Sequence, residues 1–301
     1  MKKIYLIIIF TLISSCGYYD VYFNTFYNAK RYYTEAVNQK EKNNNKINSS
    51  IKKTFEKSIA KCAYVIKEYP KSKYTDDALL LMGQCFFEQE DYLKALKKFQ
   101  EIEQYYNESP SYPLTKLYLA RTYLKLKKID EAKTQFNIIF NNDKFMPYRE
   151  QAYLCLSKYY LEEKNYIQAK AILRTLIEKK ISKESYLNVL FQYAQIEYKN
   201  GEYDNSLVTF NKLLSNSLPK RMRLDTRFYI GKIYIKLNQY KKAKKQFKKL
   251  KKDEIINDRI NEIDLNIGIC YAYLGDTETA FSTFEKLINE NKGKQIVDKT
   301  Y

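Results

Sequence analysis

The chain has 301 residues and a formal charge of +18, from 53 Lys and Arg against 35 Asp and Glu mixed along its length. Seven Gly and five Pro are too few for an all-β chain with many tight turns. The lack of any His removes the commonest general base and metal ligand. The first predicted element is an apolar run from Ile4 to Ile13, preceded by Lys2 and Lys3, interrupted by Thr11 and followed by Ser14, Ser15 and Cys16. A spanning helix needs about 20 apolar residues, so this run is too short to cross a bilayer. A basic start, an apolar middle and a small-residue end are the three parts of a secretory signal, but Cys16 replaces the usual A-x-A cleavage pattern.

Ile13, Ser14, Ser15 and Cys16 resemble the lipobox of bacterial lipoproteins. That resemblance implies a signal peptide of residues 1–15, cut before Cys16, with the thiol diacylated and the new amino group acylated as well. At about 0.8 kcal/mol per buried methylene, two or three acyl chains hold a protein on a bilayer without a spanning helix. Gly17 stands where lipoproteins kept at the inner membrane often carry Asp. The resemblance therefore implies a lipid anchor in the outer membrane, with the body in the periplasm. Residues 16–22 form a lipidated aromatic tether. The aromatic run beyond Cys16 has two readings: Phe26, Ala29 and Tyr33 pack onto the first complete repeat, or Tyr18, Tyr19 and Tyr22 sit among lipid headgroups, where aromatic rings are favoured.

An internal period organises the rest. Gly83, Ala120, Ser157, Ala194, Gly231 and Gly268 each lie 37 residues from the next. So do Ala95, Ala132, Ala169, Ser206, Ala243 and Ala280, and the bulky column Phe99, Phe136, Leu173, Phe210, Phe247 and Phe284. A fourth column is Ile102, Ile139, Leu176, Leu213, Leu250 and Leu287. Within a copy the apolar residues fall at helical spacing, as in Leu79, Met82, Gly83 and Phe86, then Ala95, Phe99 and Ile102. Short polar turns such as "EQED", "KNGE" and "LGDT" separate the two stretches. Each copy therefore predicts a pair of antiparallel helices, whose backbones approach closely only where both carry small side chains. One pair cannot bury both faces, so an all-α solenoid follows, with six full 37-residue repeats over residues 76–290. A degenerate first repeat occupies 23–75, with helices expected over Phe23–Gln39 and Lys52–Tyr69 and a polar linker at 40–50. Residues 291–301 form a short tail.

These columns resemble the tetratricopeptide repeat, and "LLLMGQCFFEQEDYLKALKKFQEI" and "NIGICYAYLGDTETAFSTFEKLI" are close matches. The family unit is 34 residues, so three more fall in the connection between repeats. Glu197 departs from the aromatic column of Phe86, Tyr123, Tyr160, Tyr234 and Tyr271. Tyr69, Pro70, Ser72, Tyr74, Asp77 and Ala78 resemble a segment of the BamD (YfiO) type outer-membrane assembly lipoproteins and of the Tol-associated periplasmic repeat protein. That likeness implies a periplasmic setting more than a particular task.

Catalysis finds little support: the residues name no catalytic group, no metal site and no cofactor. Cys62, Cys85, Cys155 and Cys270 read as buried thiols behaving as small hydrophobes, with a Cys62–Cys85 disulfide as the alternative. Function is expected on surfaces. The first helices line the concave face, where Leu80, Leu117, Leu154, Phe191, Phe228 and Leu265 form one apolar row. Gln84, Arg121, Lys158, Gln195, Lys232 and Ile269 form a polar to basic row, and Phe87, Leu124, Leu161, Tyr198, Ile235 and Ala272 a second apolar one. Such a groove suits a peptide with apolar anchors and acidic residues, and the other reading is that packing between repeats buries part of these rows. Lys241, Lys242, Lys244, Lys245, Lys248, Lys249 and Lys252 make a basic convex face, which is either solvated or binds an anionic surface. The last helix is expected to leave Phe281, Phe284 and Ile288 partly open to another protein or a second copy. The expected function is a lipid-anchored scaffold for envelope proteins in outer-membrane assembly or envelope organisation. The alternative is a cell-wall or Tol-linked coordinator that uses the basic face on peptidoglycan or its enzymes. Nucleic acid is not an expected partner.

Overall fold

A computed structural model describes residues 25–179, 181–253 and 259–290. Among them are fourteen α-helices and no strand. The chain divides into two compact units, Met1–Cys155 and Leu156–Tyr301. The first contains α1 (Tyr27–Lys42), α2 (Ser49–Glu68), α3 (Thr75–Glu88), α4 (Tyr92–Tyr105), α5 (Tyr112–Lys125) and α6 (Ile129–Asn141). Helix α7 (Met146–Glu162) contains the boundary. The second unit continues with α8 (Tyr166–Ile177), α9 (Lys183–Lys199), α10 (Tyr203–Leu214), α11 (Lys220–Lys236), α12 (Tyr240–Leu250), α13 (Ile260–Tyr273) and α14 (Thr277–Glu290).

In the first unit α1 packs on α2, α3 on α4 and α5 on α6, and each pair lies against the next. The second unit repeats this through α9/α10, α11/α12 and α13/α14. The small columns do what their size allows. The side chain of Phe247 fills the space over Gly231, and Phe99 and Phe284 stand in the same way over Gly83 and Gly268. Phe99, Phe136, Phe210 and Phe247 are fully buried, which is worth about 2–3 kcal/mol apiece before entropy is counted. Where Ser enters a small column, its hydroxyl donates to the backbone of the facing helix: Ser206 to the Ala194 carbonyl at 2.7 Å and Ser157 to that of Ala169 at 3.1 Å.

Each full pair closes through the same turn. Glu90, Lys127, Lys164, Gly201, Asn238 and Gly275 all have positive φ, between 56° and 83°. The N–H of the following residue donates back into the first helix, as from Asp91 to the Phe86 carbonyl and from Asp276 to that of Tyr271. This is the left-handed helix ending that satisfies otherwise orphaned carbonyls. The next helix then starts on a side-chain cap where one is supplied: Asp91 accepts from the Lys94 N–H and Asn165 from that of Gln168.

The N-terminal pair differs from its expected bounds. Helix α1 runs past Gln39 to Lys42, and α2 begins at Ser49 rather than Lys52. Lys40 pairs with Glu88 at 2.9 Å, which favours the extra turn, and Asn48 caps α2 by accepting from the Ile51 N–H. Phe26 and Ala29 are buried with Cys62, Val65, Ala78, Leu81 and Met82, and Tyr33 lies against the same core. The stretch from Tyr69 to Ala78 serves the connection between α2 and α3. There the Thr75 hydroxyl donates to the Tyr69 carbonyl, and Tyr74 stacks on Phe26 with centroids 5.4 Å apart. In the next connection Ser109 and Ser111 donate to Asp76 and Asp77.

Candidate protein-docking site

The first helix of each pair carries the expected rows, and stacking decides which side chains stay accessible. In the first unit Leu80, Phe87, Leu117 and Leu124 are all buried, Leu117 to 1 % exposure, while Leu154 is half-buried. In the second unit Phe228 is buried, and Leu161, Phe191, Tyr198 and Ile235 are half-buried. The expected apolar lining is corrected accordingly: five of its side chains are packed between neighbouring helices. First helix lies against first helix, α3 on α5 and α9 on α11, which takes up much of each apolar row.

The polar row remains accessible. Gln84, Arg121, Gln195 and Lys232 are half-buried and Lys158 is exposed. Arg121 rests on an aromatic floor, its guanidinium 4.8 Å from the Phe87 ring and 4.7 Å from that of Tyr118. Those two rings meet edge to face at 5.6 Å, and Tyr118 lies close enough to Tyr33 of α1 to interact with it electrostatically. Three first helices, α1, α3 and α5, thus build one platform. Burial pushes the Tyr33 phenol well above its ordinary value, so it stays a neutral hydrogen-bonding group. Among the described residues no carboxylate pairs with Arg121.

A second platform lies in the second unit. Tyr229 meets Phe191 at 5.9 Å and Tyr198 at 5.8 Å, both edge to face. Burial pushes the Tyr198 phenol up to about 12. Lys232 is 5.8 Å from the Tyr198 and Phe228 rings, but its charge is already matched by Glu262 at 3.2 Å. The two cations therefore differ: Lys232 has an internal carboxylate and Arg121 has none. Sequence reasoning missed Tyr118 and Tyr229. They stand three 37-residue periods apart, and their column reads Leu81, Tyr118, Cys155, Gln192, Tyr229 and Asn266, so its chemistry is too mixed to draw the eye.

The other candidates fall elsewhere. Cys62, Cys85 and Cys270 are buried free thiols, whereas Cys155 is only half-buried, which corrects the expectation of four buried ones. The Cys85 thiol hydrogen-bonds the Ser58 hydroxyl at 3.3 Å, and no disulfide joins it to Cys62. No metal-binding cluster of His, Cys, Asp or Glu occurs among the described residues, and no described helix is long and apolar enough to cross a membrane. Lys241, Lys242, Lys245, Lys248, Lys249 and Lys252 are exposed and Lys244 half-buried. Phe281 and Ile288 of α14 are 70 % and 60 % exposed, with Phe284 half-buried. Cys16, Tyr18, Tyr19, Tyr22 and the 291–301 tail lie outside the described residues.

Residues 3–143 match the tetratricopeptide repeat-like domain family, and residues 225–254 and 263–292 match the tetratricopeptide repeat. This chain is a tetratricopeptide-repeat protein. The tetratricopeptide fold is also that of solved structures of low identity. The C-terminal part of a TPR repeat-containing protein from Cytophaga hutchinsonii is 17 % identical, with a TM-score of 0.63 over 85 % of this chain and 94 % of that one. A signal-transduction ATPase with a tetratricopeptide repeat sensor, from Pyrococcus horikoshii, is also 17 % identical, with a TM-score of 0.56 over 81 % of this chain and 41 % of that one. Comparison with curated proteins returns no match. Tetratricopeptide repeats are in general scaffolds that bind other proteins, and the repeats of this chain imply that class of activity.

Proposed function

We propose that this protein is a lipid-anchored scaffold of the bacterial envelope, held at the outer membrane through acylated Cys16 with its repeats in the periplasm. There it docks a partner protein on its first-helix platforms. The observation that carries the docking reading is Arg121: a guanidinium held over Phe87 and Tyr118, with no carboxylate partner among the described residues. A partner segment that brings a carboxylate and an apolar side chain to that platform satisfies both the charge and the rings. The lipobox-like Ile13-Ser14-Ser15-Cys16 supports the anchor, and the likeness of Tyr69–Ala78 to outer-membrane assembly lipoproteins supports the setting. The exposed Phe281 and Ile288 support a further contact on α14, with another protein or a second copy.

The test is affinity capture of the tagged protein from detergent-solubilised envelopes, followed by mass spectrometry, with Arg121→Ala and Cys16→Ala forms alongside. Barrel-assembly proteins recovered by the natural chain, weakened by Arg121→Ala and lost with Cys16→Ala, support the scaffold reading. Recovery of cell-wall enzymes or Tol components instead favours the coordinator. Fatty-acid labelling that persists in Cys16→Ala would overturn the anchor.

A further inference from the structure

Helix α12 contains no acidic residue, and Ala243, Phe247 and Leu250 take its buried side, so its lysines are driven to the other side. Lys241, Lys244, Lys245, Lys248, Lys249 and Lys252 line one shallow depression of about 460 Å³. Nearby acids are already engaged: Asp264 lies 2.5 Å from Lys251 and Asp253 lies 3.4 Å from Lys220. Among the described residues, none of the lysines lining the depression has a carboxylate partner. Two are held in place by an aromatic ring, with the Lys244 and Lys248 ammonium groups 4.4 and 5.0 Å from the centre of Tyr271. Uncompensated like charges at helical spacing repel one another, and an anionic ligand relieves that repulsion.

The shape of the cationic surface selects the ligand. It is one helix wide, because the adjoining groove is bordered by Asp264 and Glu290 together with Lys248, Lys251 and Lys286. A planar anionic bilayer would press on those carboxylates too, whereas a linear anion lying along α12 meets, among the described residues lining the depression, ammonium groups alone. The helix has 11 residues and is roughly 16 Å long at 1.5 Å per residue, about the reach of five extended residues. We infer that the lysine face of α12 docks an acidic stretch of a partner protein. This rests on the protein-interaction reading above and adds the partner's chemistry at residues other than Arg121.

The test uses full-length protein in neutral detergent and the fluorescence anisotropy of a labelled oligo-glutamate peptide. One variant carries Lys241→Gln, Lys245→Gln, Lys248→Gln and Lys249→Gln. A control carries Lys42→Gln, Lys46→Gln, Lys52→Gln and Lys53→Gln, which changes net charge equally at exposed sites. The α12 variant is expected to lose at least about tenfold in affinity with a flatter salt dependence, while the control stays within about twofold. Equal loss in both Lys variants overturns the inference. So does binding of inorganic polyphosphate, or of phosphatidylcholine vesicles with about one quarter phosphatidylglycerol, through these lysines when the peptide does not bind. The scaffold reading fails separately, when envelope capture yields no protein partner although the peptide still binds.

Discussion

A methyl group added at Gly231 would stand 2.7 Å from Cζ of Phe247, closer than carbon atoms can pack. The close approach of α11 and α12 thus depends on a missing side chain on one helix and a large one on the other. Gly231→Ala is expected to destabilise the protein despite the better helix propensity of alanine. Overpacking costs about 1–3 kcal/mol, against a propensity gain of about 1 kcal/mol or less. Urea unfolding checks this, and Phe247→Leu in the Gly231→Ala background should recover part of the loss. If the two substitutions are additive, the contact is not the cause.

Lys127 takes a left-handed conformation, with φ 59°, at a turn position where Gly201 and Gly275 stand in other repeats. A side chain there costs about 1 kcal/mol. Lys127→Gly is expected to raise stability by about 0.5–1 kcal/mol, and Gly201→Ala to lower it by a similar amount. Thermal midpoints moving the other way would count against the turn geometry.

Glu197 is buried where the equivalent positions carry Phe or Tyr, and it accepts a 2.7 Å hydrogen bond from the Thr209 hydroxyl. Burial raises its carboxyl above the ordinary value; the Thr209 bond and nearby Lys170 only partly oppose this, while Glu202 adds to it. A raised native value means the folded state holds the proton more tightly than the unfolded chain. Stability from this group therefore falls as pH rises from the unfolded carboxyl value through the raised native one. Glu197→Gln should flatten that part of the stability–pH curve and leave the rest unchanged. An unchanged slope would show that Glu197 titrates normally.

Burial pushes the Cys85 thiol up to about 12 and Cys270 to about 11, and raises Cys62 well above its ordinary value. Thiolate is the reactive form, so these three should label slowly in the folded protein. Half-buried Cys155 should react with iodoacetamide first at mildly alkaline pH, as read by peptide mass spectrometry. Cys62 or Cys85 labelling as fast as Cys155 would mean that the N-terminal pair opens readily.

Much of the fold was legible because helix pairing is a local matter repeated in register. A small residue opposite a bulky one specifies a close approach in every copy, whatever lies beyond the pair. The platforms were harder to see. Arg121 was visible as one basic residue in a polar row with Tyr118 one turn before it on α5, but the other half of its aromatic floor, Phe87, comes from the neighbouring first helix α3, which stacking alone brings to it. Likewise Lys232 and Arg121 read alike along the chain, and only the packing of α13 beside α11 gives Lys232 its Glu262.

The sequence by itself determined the period, the helix pairs, the small and bulky columns and the lysine-rich helix, since each is carried by spacing within one chain segment. Exposure was decided by tertiary structure alone. Leu117 and Leu265 occupy one column with the same side chain, yet Leu117 is 1 % exposed and Leu265 39 %. A side chain's accessibility belongs to whatever packs against it, and that neighbour lies a full repeat away in the sequence.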